Sequence, residues 1–408
     1  MRVRTTAVAM CALAAIASIA CEKIIHFDDF GTEPVTVPTV DAGTSAVTDP
    51  VCTGLAAKCL GVASASGLRH PPCPKASAVP DVDAGGEGGV GEVYVYAWRR
   101  LRLGMNPDPT YTMDAGAYDT KVGYDLDCSN HAPNGLPTTC QAQGLDGGLP
   151  WLLFPLGIDN AISQRILGPL NVASYKNDPS SFLSLDDRFS RQLEVGHGSV
   201  LTIVYNWNGT ANDPKVSVRS VSALGIVGGG NPKWDGTDKW IAATDAFDPD
   251  LGNDQIPRVN SVDDNAYVAD GVLVSDFSRF NPLKTHIVNN GVTLEVPLYD
   301  FHMIGDITRD KLLYAQGFGR WAVSEFIANK DIIAAFLSSC DPITYAVLKS
   351  KLTGLGNAAA DLPAVDVPDA SSDVPCNSIS ATWAADAERA TIGGYQTLPP
   401  PSTTNPCN

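Results

Sequence analysis

This 408-residue sequence is poor in basic residues. Only 28 Lys and Arg stand against 45 Asp and Glu, a formal net charge of −17. A surface that acidic repels phosphate backbones, which excludes nucleic acid as a partner. No His-Glu-x-x-His pattern and no close histidine pair occurs among His26, His70, His131, His197, His286 and His302, which argues against a zinc metalloprotease. Also missing are a Gly-x-Ser-x-Gly elbow, a phosphate-binding Gly-rich loop before a helix and a dinucleotide fingerprint. The cysteines form no Cys-x-x-Cys pair, the spacing that zinc sites favour. The apolar run from Ala7 to Ala20 has 14 residues, short of the ~18 that a membrane-spanning helix needs.

What is present starts at that run. Arg2 and Arg4 precede it, Ser18-Ile19-Ala20 ends it and Cys21 follows, the layout of an export signal with a lipid-accepting cysteine. Ordinary cleavage after Ala20 is the competing reading, since Ser18 stands where lipoproteins usually carry Leu. Cysteine parity separates the two. Cys11 leaves with the signal, and lipidation of Cys21 leaves eight cysteines: Cys52, Cys59, Cys73, Cys128, Cys140, Cys340, Cys376 and Cys407. An even number suits an oxidising compartment and four disulfides. Sequence proximity suggests Cys52–Cys59, Cys128–Cys140 and Cys340–Cys376, leaving Cys73 for Cys407. Several acyl chains at ~0.8 kcal/mol per buried methylene make such an anchor effectively permanent. Glu22, in place of the Asp that retains many lipoproteins at the inner membrane, points to the outer membrane, with the body on its periplasmic or surface face.

Four regions follow from composition: a signal over 1–20, a lipidated start and Pro/Thr/Asp/Gly-rich tether over 21–51, a cysteine-stapled soft segment over 52–91, and a β-rich body over 92–408. Hydrophobic content of 44% is ample for a packed core. Alternating aromatic and β-branched residues predict strands at 92–98, 200–207, 215–222, 266–275, 292–298 and 311–323. Asn208-Gly209 and Asp213-Pro214 predict a hairpin between the second and third. Apolar residues at helical spacing predict helices at 159–170, 180–195, 324–338 and 342–352, the last carrying the body toward Cys376 and Cys407. The expected fold is mainly β with peripheral helices, an antiparallel β-sandwich stapled by disulfides.

Two constellations invite chemistry. Asp125 and Asp127 in Gly123-Tyr-Asp-Leu-Asp-Cys128 alternate as oxygen ligands do in calcium loops, and Asp159 with Asn160 would complete a structural calcium site. Asp residues that only cap turns explain the same pattern. Trp207, Trp234 and Trp240 stand in or beside turns rich in Asn and Asp, the mixture of flat rings and polar groups that binds sugars. Core packing is the competing reading. Gly196-His197-Gly198-Ser199 sets a serine near a histidine, and a turn entering a strand explains it adequately.

Gly-x-Asp-Leu-Asp, Gly157-Ile-Asp-Asn-Ala161, Gly319-Arg-Trp321 and the tail Cys340…Thr344-Tyr345…Asp361…Pro375-Cys376-Asn-Ser-Ile-Ser380 occur together behind Cys21. The combination resembles uncharacterised exported lipoproteins of the myxobacterial type, over roughly residues 92–395. The resemblance implies an envelope location and a disulfide-tied body, and brings no activity. The expectation is a non-enzymatic surface lipoprotein that binds a glycan or envelope protein or serves a structural role. The alternative is an exported polysaccharide hydrolase with carboxylates across a cleft.

Overall fold

A computed structural model describes residues 92–104, 122, 160–168, 184–244, 262–277, 282–289, 292–338, 340–362, 375–400, 402 and 407. Its strands are β1 (Glu92–Arg102), β2 (Val200–Trp207), β3 (Asp213–Ile226), β4 (Lys239–Ala243), β5 (Val262–Ala269), β6 (Val272–Asp276), β7 (Leu283–Asn289), β8 (Val292–Ile307), β9 (Lys311–Ala322) and β10 (Ser378–Gln396). Its α-helices are α1 (Leu185–Glu194), α2 (Val323–Ala328), α3 (Lys330–Ser338) and α4 (Pro342–Ala359), and a π-helical turn spans Ile162–Leu167.

The sandwich expectation is overturned. Strands β1, β2, β3, β5, β6, β8, β9 and β10 form a closed eight-stranded antiparallel barrel. Each pairs with the next in that order, and β1 pairs with β10 to close the ring, with Val95 opposite Ala390 and Trp98 opposite Ala387. Short alternating strands satisfy a sandwich and a barrel equally well, because both bury one face. The deciding contact joins the first strand to the last, and nothing local encodes it. The segment expected as one strand over 266–275 is a hairpin, β5 and β6, turning at Asp270-Gly271, both at positive φ.

Side-chain alternation assigns the two faces. One cluster draws Tyr94, Val200, Val216, Ala266, Leu273, Phe301, Leu312 and Ile379 from all eight barrel strands, and so lies inside. The interior is rich in rings: Trp98 lies 6.5 Å from Trp383, which stacks on Phe301 at 5.5 Å. Trp98 Nε1 donates to the buried Thr202 Oγ1 at 3.0 Å. On the intervening β9, Gly317 leaves the room these rings occupy; a Cβ there would sit 2.9 Å from both Phe301 and Trp383.

At one end the hairpin turns converge. The Arg309 guanidinium lies over Gly209, Gly271 N donates to Ala211 O, and the Tyr96 hydroxyl donates to Thr308 O. The other end merges with the helices, whose Leu193, Phe326, Ile333 and Leu348 join the same interior cluster. The helix expected over 324–338 breaks at Asn329 into α2 and α3, and within the one expected over 159–170 residues Ile162–Leu167 are π-helical. Asp341 caps α4 by accepting from Thr344 N at 2.8 Å, with Pro342 in the first turn.

Strand β4 adds a local second layer. It pairs antiparallel with the end of β3 and parallel with the end of β10. Trp240, Ala242 and Ile392 of that layer pack against Val95, Ala97, Leu201 and Ile203 on the outer wall. This layer covers one patch of the barrel wall.

The disulfide expectation also needs correction. Cys340 bonds Cys407, with Cα atoms 5.1 Å apart, so neither Cys340–Cys376 nor Cys73–Cys407 forms. Cys376 is bonded to another cysteine, while Cys52, Cys59, Cys73, Cys128 and Cys140 lie outside the described residues. The reason is spatial: beyond β10 the tail passes β8, where Ser402 N donates to Thr293 O, and reaches the end of α3. Closing the 67-residue separation contributes about 4 kcal/mol by the loop-entropy relation.

Gly317→Ala tests the interior packing. The methyl must displace two rings held by neighbours on three strands, so we expect a loss of about 1–3 kcal/mol, measured as a lower denaturant midpoint at unchanged slope.

Candidate functional site

The three tryptophans do not share a surface. Trp207 is buried among the interior residues, edge-on to Tyr94 at 4.8 Å, and its indole N–H donates to Thr210 O. Trp240 is fully buried in the outer layer. Trp234 is half-buried 5.5 Å from it, with φ of 59°, and donates Nε1–H to Glu194 O. The polar residues around them are also committed. Asp238 accepts from the N–H groups of Lys233 and Trp234, Asp235 from Thr237, and Asn208 Oδ1 from Thr210. These are turn caps of the kind that Asx residues make, and they anchor the rings in place.

Of the calcium candidates, Asp125, Asp127 and Asp159 lie outside the described residues. Asn160 is described and buried. Its amide donates to Val122 O at 2.9 Å and Leu103 O at 3.4 Å, and its Oδ1 accepts from Thr382 N at 3.3 Å. Among the described residues no group of three or more His, Cys, Asp and Glu is placed to hold a metal ion. Ser199, beside His197, is buried and donates its hydroxyl to Trp98 O at 2.9 Å.

The structure instead assembles a polar seam that local pattern did not reveal. Register with β1 ends where Arg102 faces Ala384, so residues 378–383 of β10 run on with one edge unpaired by that strand. Buried N–H groups on such an edge must find acceptors. Asp361 Oδ1 accepts from Ser380 N at 2.8 Å, and Asn160 Oδ1 takes Thr382 N. Ser380 Oγ donates to Asp361 Oδ2 at 2.5 Å and accepts from Ala161 N at 2.6 Å. Arg165, buried in the π-helical turn, donates to Ala359 O and Ala360 O at the end of α4, where a cation suits the helix dipole. Asp361 and Ser380 are fully enclosed. Three distant segments are bolted together here, and the serine hydroxyl already has both a donor and an acceptor partner.

A second cluster lies on the outer wall, where β8 leaves its hairpin with β7 and enters the barrel. Register slips between Tyr299 and His302, and Asp300 takes a left-handed φ of 50°, a β-bulge. The bulge aims Asp300 Oδ1 at His302 Nε2, 3.1 Å away, while Asp300 Oδ2 lies 3.7 Å from Arg320 Nε. On the other side His302 Nδ1 lies 3.2 Å from Asp276 Oδ1 at the end of β6, within ion-pair distance though outside hydrogen-bond alignment. Phe318 stacks on the imidazole at 5.5 Å. Burial disfavours the charged ring, but contacts with Asp276 and then Asp300 outweigh it and hold the pKa above the ordinary histidine value. Neither residue type nor spacing marked these positions in the sequence, since the partners come from separate strands.

Compared with known proteins, the chain matches no family model, no curated protein and no solved structure.

Asp361 offers the cleanest test of the seam. Asp361→Ala strands the Ser380 amide and hydroxyl in a dry site, and we expect a loss of about 3 kcal/mol or more in chemical denaturation. Asp361→Asn keeps one acceptor oxygen and should lose about half as much. Equal stability of all three proteins would show that the seam does not hold the barrel.

Proposed function

We propose that this protein is a cell-envelope lipoprotein, tethered through acylated Cys21, whose barrel body is a non-enzymatic binding or structural module. The observation that carries the reading is the commitment of its polar groups. Ser199, Ser380, Asp361 and Asn160 are buried and spend their hydrogen bonds on backbone and seam partners. His302 is held between two carboxylates. A catalytic centre needs a nucleophile or base free to reach a substrate, and these groups support the scaffold instead.

The anchor half of the reading rests on the basic start, the 14-residue apolar run and Cys21. About 70 residues, many of them Gly, Pro, Asp and Thr, separate Cys21 from β1, a composition suited to holding a body off a membrane. Closed barrels of this size fill their interior with side chains or enclose one small ligand. The chain is acidic overall, which favours polar or cationic partners over anionic ones.

Intact mass spectrometry of the protein from a lipoprotein-processing bacterium tests this directly. The expected species begins at Cys21, carries acyl chains and gains eight hydrogens on reduction. Cys21→Ser should move the protein from the membrane to the soluble fraction. An unacylated mature chain with an unpaired thiol would overturn the anchor.

A further inference from the structure

We propose that the Asp276–His302–Asp300 cluster is a pH-operated latch that ties the end of β6 to the bulge of β8 and opens as the surroundings become alkaline. A neutral imidazole has one N–H and one lone pair. It can satisfy one of two flanking carboxylates, and must turn a lone pair toward the other. With Nε2 3.1 Å from Asp300 and Nδ1 3.2 Å from Asp276, the latter within ion-pair distance though not aligned for a hydrogen bond, two flanking carboxylates favour the imidazolium over the neutral ring.

The groups facing the ring come from four strands. Asp276 belongs to β6, Asp300 to β8 and Arg320 to β9 behind Asp300, while Tyr267 of β5 packs with Phe318 in the adjoining apolar patch. These partners make the opening directional. Asp300 accepts a hydrogen bond from Nε2 and has Arg320 on its other oxygen, so it keeps the remaining proton. The Asp276 side chain is 55% exposed and can swing into water once Nδ1 loses its proton. Deprotonation thus weakens the side-chain contact at Asp276, where the β6–β8 ladder ends, before the one at Asp300.

Asp276 ends its strand, and just beyond it Phe277 N donates to Phe301 O at 2.9 Å. Asp263 Oδ2 accepts from Asp276 N and Ser275 Oγ and holds the other side of this corner. The latch therefore reinforces a corner that Asp263, the Phe277–Phe301 bond and the end of the β6–β8 ladder also hold. Its sign follows from linkage. The folded pKa lies above that of an unfolded histidine, so the contribution is complete below about pH 6.5 and is lost as pH rises through the folded value.

Two readouts on the full chain test it: an NMR titration of the His302 ring, and amide exchange at Phe277 corrected for the intrinsic pH dependence of exchange. We expect the ring to titrate above 6.5 and protection at Phe277 to fall at least tenfold across that midpoint. Asp276→Asn, a substitution at a mostly exposed side chain, should lower the midpoint and flatten the step. His302→Gln should abolish the step. A ring that titrates at or below 6.5, a midpoint unmoved by Asp276→Asn, or pH-independent protection at Phe277 would each overturn the latch.

Discussion

The pairing of β1 with β10 is the constraint on which the molecule depends. It joins residues nearly three hundred positions apart and leaves the barrel without a free edge between those strands. Closure is the one full solution to the exposed-edge problem of antiparallel sheets. It also fixes the interior, because Trp98 can reach Trp383 of β10, and through it Phe301 of β8, only when β1 stands beside β10. The loop-closure entropy this contact costs must be recovered from the interior it encloses.

The polar clusters lie where strand pairing fails. Ser380 and Thr382 sit on β10 beyond the reach of β1, and Asp361 and Asn160 replace the missing ladder acceptors. His302 follows a bulge where β8 changes partners, and two carboxylates fill that break. Asp263 does the same at the end of β6. Buried backbone and side-chain polar groups need partners whatever the function, so enclosed acids and serines in this chain are first a consequence of its topology. That logic connects the fold to the functional reading: the clusters are fasteners, and what recognition the protein performs would fall to its surface or its barrel ends.

Local periodicity made much of the body legible. The strand at 92–98, the hairpin of β2 and β3 around Asn208-Gly209, the strand of β9 and the start of α4 after Asp341 all follow from residue pattern and cap chemistry. Strand β10 did not. Its Ser380-Ala-Thr-Trp-Ala-Ala-Asp386 run is rich in Ala, which strands disfavour, and only burial between β1 and β9 holds it extended. The sandwich expectation failed because closure is a long-range contact, and the Cys340–Cys376 expectation because chain proximity is a poor guide to spatial proximity. The surroundings of the tryptophans were likewise ambiguous in the sequence. Asn and Asp beside them cap turns, a role that shares its residue types with sugar binding. Asp361 and Ser380 were visible in the tail Asp361…Ser380, but their meeting with Asn160 depends on the fold.

Cross-strand contacts between β1 and β10 in solution test the barrel most directly. NMR of the full chain should show proximity between the backbones of Val95 and Ala390 and of Trp98 and Ala387, with slow amide exchange along both strands. A β1 that lacks these contacts and exchanges freely while β8, β9 and β10 remain protected would mean an open sheet, and the account of the interior would fail with it.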